Sequence, residues 1–174
     1  MRTLIILRHA KSSWGSPELD DFDRPLNDRG NKDAPLMAKW LDEQAPYIDE
    51  ILCSSAARTR ATADHITTVR STKPSIHFHD TLYLATPETI KGLLAKLDTS
   101  TKTAMVIGHN PGVHESAFRF LTKAERDKAG LLRERFPTAA CAMIKLAIED
   151  WNEIAWNSGA LLSFMVPKIL KATK

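Results

Sequence analysis

Only two cysteines, Cys53 and Cys141, occur among 174 residues, so no disulfide framework holds this chain together. Each thiol reads as a small buried hydrophobe, and a reducing cytoplasm is the expected home. There is no Cys-x-x-Cys pair, no Walker-type glycine loop and no Gly-x-Ser-x-Gly elbow, so the sequence offers no signature of thiol redox chemistry, nucleotide cradling or serine hydrolysis. Long apolar runs are missing as well. The first one, following Met1-Arg2, is too short for a signal-peptide core or a membrane span, and no membrane partner is expected. Positive charge is sparse and dispersed, 24 Lys and Arg against 21 Asp and Glu for a net +3, whereas a nucleic-acid footprint would be denser. Trp40, Trp151 and Trp156 show no stacking pattern with basic neighbours, so packing is expected of them. With no internal repeat, low-complexity tract or linker, residues 1–174 read as one domain.

What is present is a pair of short apolar runs, Leu4-Ile5-Ile6-Leu7 and Ala104-Met105-Val106-Ile107, each ending within two residues at a histidine, His9 and His109. If both are parallel strands, both imidazoles fall on one sheet edge, and open α/β sheets bind ligands beyond the carboxyl ends of their strands. A third run, Ile51-Leu52-Cys53, leads through Ser54-Ser55 into Ala56-Ala57-Arg58 and reads as strand, turn and first helical turn, delivering Arg58 to the same crevice. Arg8 immediately precedes His9. Two arginines and two histidines beside a helix N-terminus describe a receptor for a tetrahedral dianion such as phosphate.

Residues 11–26 are polar and turn-rich, a long loop of the kind that usually carries function. Leu36, Met37, Trp40 and Leu41 follow helical spacing between Asn27 and Gln44, with Pro35 implying a first turn near Asp33 or a kink. A helix from about Ala56 to Val69 is expected to take Ser54 or Ser55 as its cap, a strand to run from Ile76 to Phe78, and Thr86-Pro87-Glu88 to open a helix through Ile90, Leu93, Leu94 and Leu97. Asn110-Pro111-Gly112 opens another through Phe118 and Leu121, and residues 122–137 are charged and less regular. Residues 141–148 and 153–156 look like an antiparallel hairpin around Asp150-Trp151-Asn152, with Leu161 to Val166 as an added edge strand. Alternation of strand and helix followed by strands argues for an α/β fold, a three-layer α/β/α sandwich with a mixed, mostly parallel sheet.

An imidazole attacks phosphorus when one ring nitrogen is unprotonated and the other is held by an acceptor, and His9 at a strand end is placed for a backbone carbonyl to hold it. The displacement then needs chiefly positive charge and hydrogen bonds around the equatorial oxygens, which Arg8, Arg58 and His109 supply. Arg8-His9-Ala10, followed by Ser12 and Trp14, resembles the Arg-His-Gly signature of the histidine phosphatase (phosphoglycerate mutase-like) superfamily. Residues 54–63 resemble that superfamily's second arginine motif, and Gly108-His109-Asn110 its second histidine motif. The likeness runs in order over nearly the whole chain. It implies His9 as nucleophile and Arg8, Arg58 and His109 as the phosphate pocket.

Arg24-Pro25-Leu26-Asn27-Asp28-Arg29-Gly30, Leu82-Tyr83-Leu84-Ala85-Thr86-Pro87-Glu88 and the short length are similar to the SixA-type phosphohistidine phosphatases. Arg24 then joins Ser12 and Asn110 as substrate-binding residues, although Arg24 equally suits an ion pair with Asp20 or Asp23, and Asn110 a helix cap. Ala10 stands where the superfamily carries glycine, and the acidic glycine-rich segment of the mutase branch is missing. Candidate proton donors are Glu88 and the loop carboxylates Asp20, Asp21 and Asp23. A phosphoramidate asks less of such an acid, because its nitrogen leaving group departs more readily than an alkoxide. His77 and His79, two apart on one strand face, form a possible metal pair without a third ligand nearby, and exposure is the preferred account. The expectation is therefore a monomeric cytoplasmic phosphatase with no cofactor and no metal, acting on a phosphorylated protein. A small phosphate ester as substrate, or a phospho-ligand binding module, are the alternatives.

Overall fold

A computed structural model describes residues 1–15, 17–45 and 47–173. Six strands form one sheet in the order β3-β2-β4-β1-β5-β6: β1 (Arg2–Arg8), β2 (Glu50–Ser54), β3 (Ser75–His79), β4 (Thr103–Gly108), β5 (Cys141–Leu146) and β6 (Gly159–Met165). The first four pair in parallel, β1 with β4 and β4 with β2 and β3 beyond, whereas β5 and β6 are antiparallel. In the β1–β4 register Arg8 lies opposite Gly108, so the residues that follow, His9 and His109, leave the same edge side by side. The sequence pattern anticipates this juxtaposition because central parallel strands, buried on both faces, read as continuous apolar runs. Leu4 to Leu7 and Ala104 to Ile107 are all fully buried.

Among the described residues seven α-helices cover the two faces: α1 (Asp28–Gln44), α2 (Ala57–Thr68), α3 (Pro87–Leu94), α4 (Gly112–Phe120), α5 (Lys123–Lys128), α6 (Leu131–Glu134) and α7 (Pro167–Ala172). Alternate residues of the strands feed two cores. Leu4, Ile6, Ala104 and Val106 pack with α3 and α4 around Phe120, Phe136 and Trp151. Ile5, Leu7, Met105 and Ile107 pack with α1 and α2 around Met37, Leu41 and Ile66. The architecture is the mixed α/β/α sandwich expected from the strand and helix alternation. Among the described residues no helix is long and apolar enough to cross a membrane.

Four local expectations need correction. The helix over Asp28–Gln44 does not begin near Asp33: Asn27 caps it by accepting from the Gly30 N–H at 2.9 Å, and the helix passes through Pro35. The carbonyl that Pro35 leaves without its helical amide partner belongs to Asn31, an exposed residue. The cap position of α2 is Ala56 rather than a serine; the Ser54 hydroxyl lies 2.8 Å from His109 Nε2 and accepts from the Ala56 N–H at 3.4 Å. Asn110 does not cap α4, which Pro111 precedes; its side-chain amide turns to the Phe136 carbonyl instead. The hairpin partner of β5 is β6, not residues 153–156. Trp151 is fully buried and donates its indole N–H to the Thr101 carbonyl at 2.8 Å, which ties the 150s down as a single turn of 3-10 helix. Within residues 122–137 the charged stretch forms the two short helices α5 and α6.

Candidate active site

Two close backbone approaches shape the crevice before any side chain enters it. A Cβ on Gly30 would lie 2.1 Å from the Lys11 carbonyl, so only glycine lets α1 back against the segment that leaves β1. A Cβ on Gly112 would lie 2.0 Å from the Ala85 carbonyl, so the start of α4 clamps the segment carrying Tyr83 and Leu84 over the sheet edge. Leu84 there takes the left-handed φ of 50°, a strain that proteins tend to keep at functional sites.

The resulting cavity, about 480 Å³, is lined by Arg8, His9, Lys11, Ser12, Trp14, Asp21, Arg24, Arg58, Tyr83, Leu84, His109, Asn110 and Thr138. Eight residues singled out from the sequence thus meet: Arg8, His9, Ser12, Asp21, Arg24, Arg58, His109 and Asn110. Glu88 does not join them. It lies on the outer surface, where Arg119 grips both carboxylate oxygens at 2.8 and 3.0 Å. Asp21 is the one carboxylate in the lining. Tyr83 and Thr138 also line the cavity, and no spacing or charge pattern marks them in advance; Tyr83 could be found only through the Leu82 to Glu88 resemblance.

His9 is 6% exposed, and its Nδ1–H donates to the Ala10 carbonyl at 2.7 Å. That bond fixes the tautomer and leaves Nε2 unprotonated, accepting the Arg58 Nε–H at 3.3 Å. Burial, together with His109, Arg58 and Arg8, lowers its pKa to about 3 despite the Ala10 carbonyl, so the ring is neutral at pH 7. Replacing glycine by Ala10 costs the geometry nothing visible, since the contact is made by the Ala10 backbone. His109, with its ring centroid 5.1 Å from that of His9, is also brought to about 3 by burial and by Arg58. Its Nε2 lies 2.8 Å from the Ser54 hydroxyl, and its Nδ1 is buried with no partner.

Arg8 donates Nη1–H to the Phe136 carbonyl at 3.0 Å while its Nε is buried and unpaired, and burial and then Arg58 lower its pKa. Asn110 fixes the same Phe136 carbonyl at 2.9 Å. Arg58 and Arg24 converge on Asp21. Arg58 Nη2 meets Oδ2 at 3.0 Å, and Arg24 meets Oδ1 at 2.8 and 2.9 Å. The Tyr83 hydroxyl donates to Oδ2 as well, and this bond with the two guanidiniums holds the Asp21 pKa at about 2. Arg24 also lies flat on Trp14, its guanidinium carbon 3.5 Å from the ring centroid. Three guanidiniums and Lys11 against one carboxylate, with two neutral imidazoles, leave the lining three positive charges, an excess suited to a phosphoryl dianion.

His77 and His79 lie apart from this, on β3. His77 is half exposed and 3.2 Å from a Glu50 oxygen, and among the described residues no group of three His, Cys, Asp or Glu side chains is placed to hold a metal.

Comparison with known proteins agrees with this picture. Residues 4–82 match the family model of the histidine phosphatase superfamily (branch 1). An uncharacterized protein of Mycobacterium leprae is 30% identical over 166 residues, 93% of this chain and all of that protein. Among solved structures, a SixA from Agrobacterium tumefaciens assigned as a phosphohistidine phosphatase is 29% identical with a TM-score of 0.81, over 95% of this chain and 98% of that one. The protein histidine phosphatase SixA complexed with tungstate, 23% identical, shares the fold with a TM-score of 0.77 over 97% of this chain and 99% of that one. The chain belongs to the histidine phosphatase superfamily, to its SixA type.

Proposed function

We propose that this protein is a phosphatase that passes a phosphoryl group from protein phosphohistidine to His9 and then to water. The observation that carries the proposal is the state of His9: a neutral ring whose Nδ1–H is fixed on a backbone carbonyl and whose unprotonated Nε2 accepts from Arg58 at the floor of a cationic cavity. In the first step Nε2 forms a bond to phosphorus as the bond to the leaving group breaks, with the electron pair going to that group. Arg8, Arg24 and Arg58 draw in the equatorial oxygens. The Ser54 hydroxyl donating to His109 Nε2 would put that ring's proton on Nδ1, a fourth donor to the same oxygens. Water then attacks the phosphohistidine, inorganic phosphate leaves, and the electron pair returns to Nε2.

The choice of substrate rests on the proton donor. An alkoxide leaving group needs an acid near pH 7, but Asp21, the carboxylate lining the cavity, is held ionised by Tyr83, Arg58 and Arg24. Glu88 is on the outside. A nitrogen leaving group that already carries its proton suits such a site better than a sugar phosphate does. The exposed Trp14 and Leu84 at the rim favour a substrate presented on a protein surface.

The test is a side-by-side comparison of kcat/KM for a histidine-phosphorylated protein and a panel of alkyl phosphate esters. The phosphoprotein should lead by at least about 100-fold, the gap expected when general acid catalysis is unavailable to the esters. Equal or faster turnover of an alkyl ester would point to a small-ester phosphatase, and binding without turnover of either would leave a phospho-ligand binding module.

A further inference from the structure

His9, Arg58 and His109 are 6%, 3% and 3% exposed and form the floor of the cavity, whereas the Asp21 side chain is 43% exposed and Trp14 is 74% exposed at its mouth. In-line displacement puts the leaving group opposite the nucleophile. A phosphoryl group on His9 therefore directs its departing atom toward the mouth, where Asp21 is the one acidic side chain in the lining.

Two features of Asp21 constrain what it does there. Its two oxygens accept three hydrogen bonds, from Arg58, Arg24 and Tyr83, and a second Arg24 nitrogen lies in ion-pair contact at 2.8 Å. It is therefore an anion waiting for cations, not an acid waiting for a base. The guanidiniums it holds are those a phosphoryl group would recruit, so substrate entry draws Arg58 and Arg24 toward the phosphoryl oxygens and frees carboxylate lone pairs at the leaving-group side.

Resting on the phosphatase reading above, we propose that Asp21 is the specificity residue for a nitrogen-linked phosphoryl group: its freed oxygen accepts the N–H of a protonated imidazole as that ring leaves. A phosphorylated imidazole whose distal nitrogen is protonated departs as neutral imidazole. The P–N bond breaks, its electron pair stays on the ring nitrogen, the distal proton stays in place, and the His9 Nε2–P bond forms. A carboxylate beside the distal N–H favours the protonated form before the bond breaks, without giving up a proton itself. An alkyl ester has no such N–H, and its oxygen meets the negative charge. Asp21 thereby favours one leaving-group class and disfavours the other. Tyr83, donating to Oδ2, keeps the carboxylate at the mouth and acts as a positioning residue.

The experiment measures kcat/KM for N-phosphoimidazole and for an aryl phosphate ester on the same preparations of the unsubstituted protein, Asp21→Asn, Asp21→Glu and Tyr83→Phe, across pH 5 to 8. For Asp21→Asn the ratio of phosphoimidazole to ester turnover should fall roughly 30-fold, the loss of one hydrogen bond to a charged group. The acid-side rise in phosphoimidazole turnover should move to lower pH in that variant. Asp21→Glu should recover part of the ratio, and Tyr83→Phe should lower it less than Asp21→Asn. Because the readout is a ratio, a partly unfolded variant still reports. Equal loss on both substrates, or an unchanged ratio, overturns the assignment while leaving phosphatase activity standing. If the unsubstituted protein turns over neither substrate, the phosphatase reading fails and this inference fails with it.

Discussion

Strand β1 holds an arginine at each end, and the two are used in opposite ways. At its start Arg2 is 2% exposed and donates to the carbonyls of Thr99 and Glu149, tying the segments before β4 and after β5 to the sheet. At its end Arg8 spends one bond on the Phe136 carbonyl, leaves Nε unpaired and faces a second guanidinium, Arg58, that lowers its pKa. One arginine knits loops together through Nη2 alone, its Nε and Nη1 buried without partners. The other sits where positive charges and neutral imidazoles are crowded, an arrangement that folding does not need and an anion does. A buried arginine with unpaired donors is thus not in itself a sign of function; a second guanidinium and neutral imidazoles gathered with it around one cavity are.

The largest effects should fall at the functional end. Arg58→Ala should lower kcat about 100- to 1000-fold, the loss of a donor to the transferring group, with a smaller proportional effect on the thermal midpoint. Equal catalytic and thermal losses would erase the contrast with Arg2. Arg2→Ala should show the reverse, about 1–3 kcal/mol of stability lost to the Thr99 and Glu149 carbonyls left without their donor and turnover close to that of the unsubstituted protein, as read by denaturant unfolding and steady-state rates.

The histidines supply a third test through pH. Unfolded, His9 and His109 bind protons below about pH 6.5; folded, burial holds both pKa values to about 3. The unfolded chain therefore binds more protons between these values. The stability from keeping both rings neutral is complete above about pH 6.5 and is lost as the pH falls toward 3, by up to about 1.4 kcal/mol per pH unit for each ring. Unfolding free energy measured from pH 7 to 4 should fall, and His109→Asn should flatten that slope; an unchanged slope would show that the rings are not buried neutral. The smallest effect belongs to Glu88. Since it pairs with Arg119 outside the cavity, Glu88→Gln should change kcat/KM by less than about twofold, as for an ordinary surface substitution.

How much of this was legible in the sequence follows from which interactions are local. The apolar runs ending at His9 and His109 betray central parallel strands, so the sheet edge and the convergence of Arg8, His9, Arg58 and His109 can be read directly. The Thr86 cap of α3 is likewise local, its side chain accepting from the Thr89 amide. Asp21 was indistinguishable from Asp20 and Asp23 because its selection depends on Arg58 and Tyr83, 37 and 62 residues away. Glu88, a candidate proton donor by residue type, stands in the first turn of a helix and pairs with Arg119 outside the cavity. The hairpin was misplaced for a similar reason: Trp151, fully buried against Thr101, anchors a stretch whose local pattern imitates a strand. Pro35 argued for a first turn near Asp33 or a kink; the helix starts at Asp28 under the Asn27 cap and carries Pro35 within it.

The central claim is that His9 Nε2 takes up the phosphoryl group, and rapid acid-free quenching after mixing with a phosphoryl-labelled histidine protein tests it most directly. The account predicts a transient, acid-labile and base-stable label that peptide mapping places on His9, absent from His9→Ala and longer-lived when hydrolysis is slowed at low temperature. Release of phosphate at full rate from His9→Ala, or label accumulating on another residue, would contradict it.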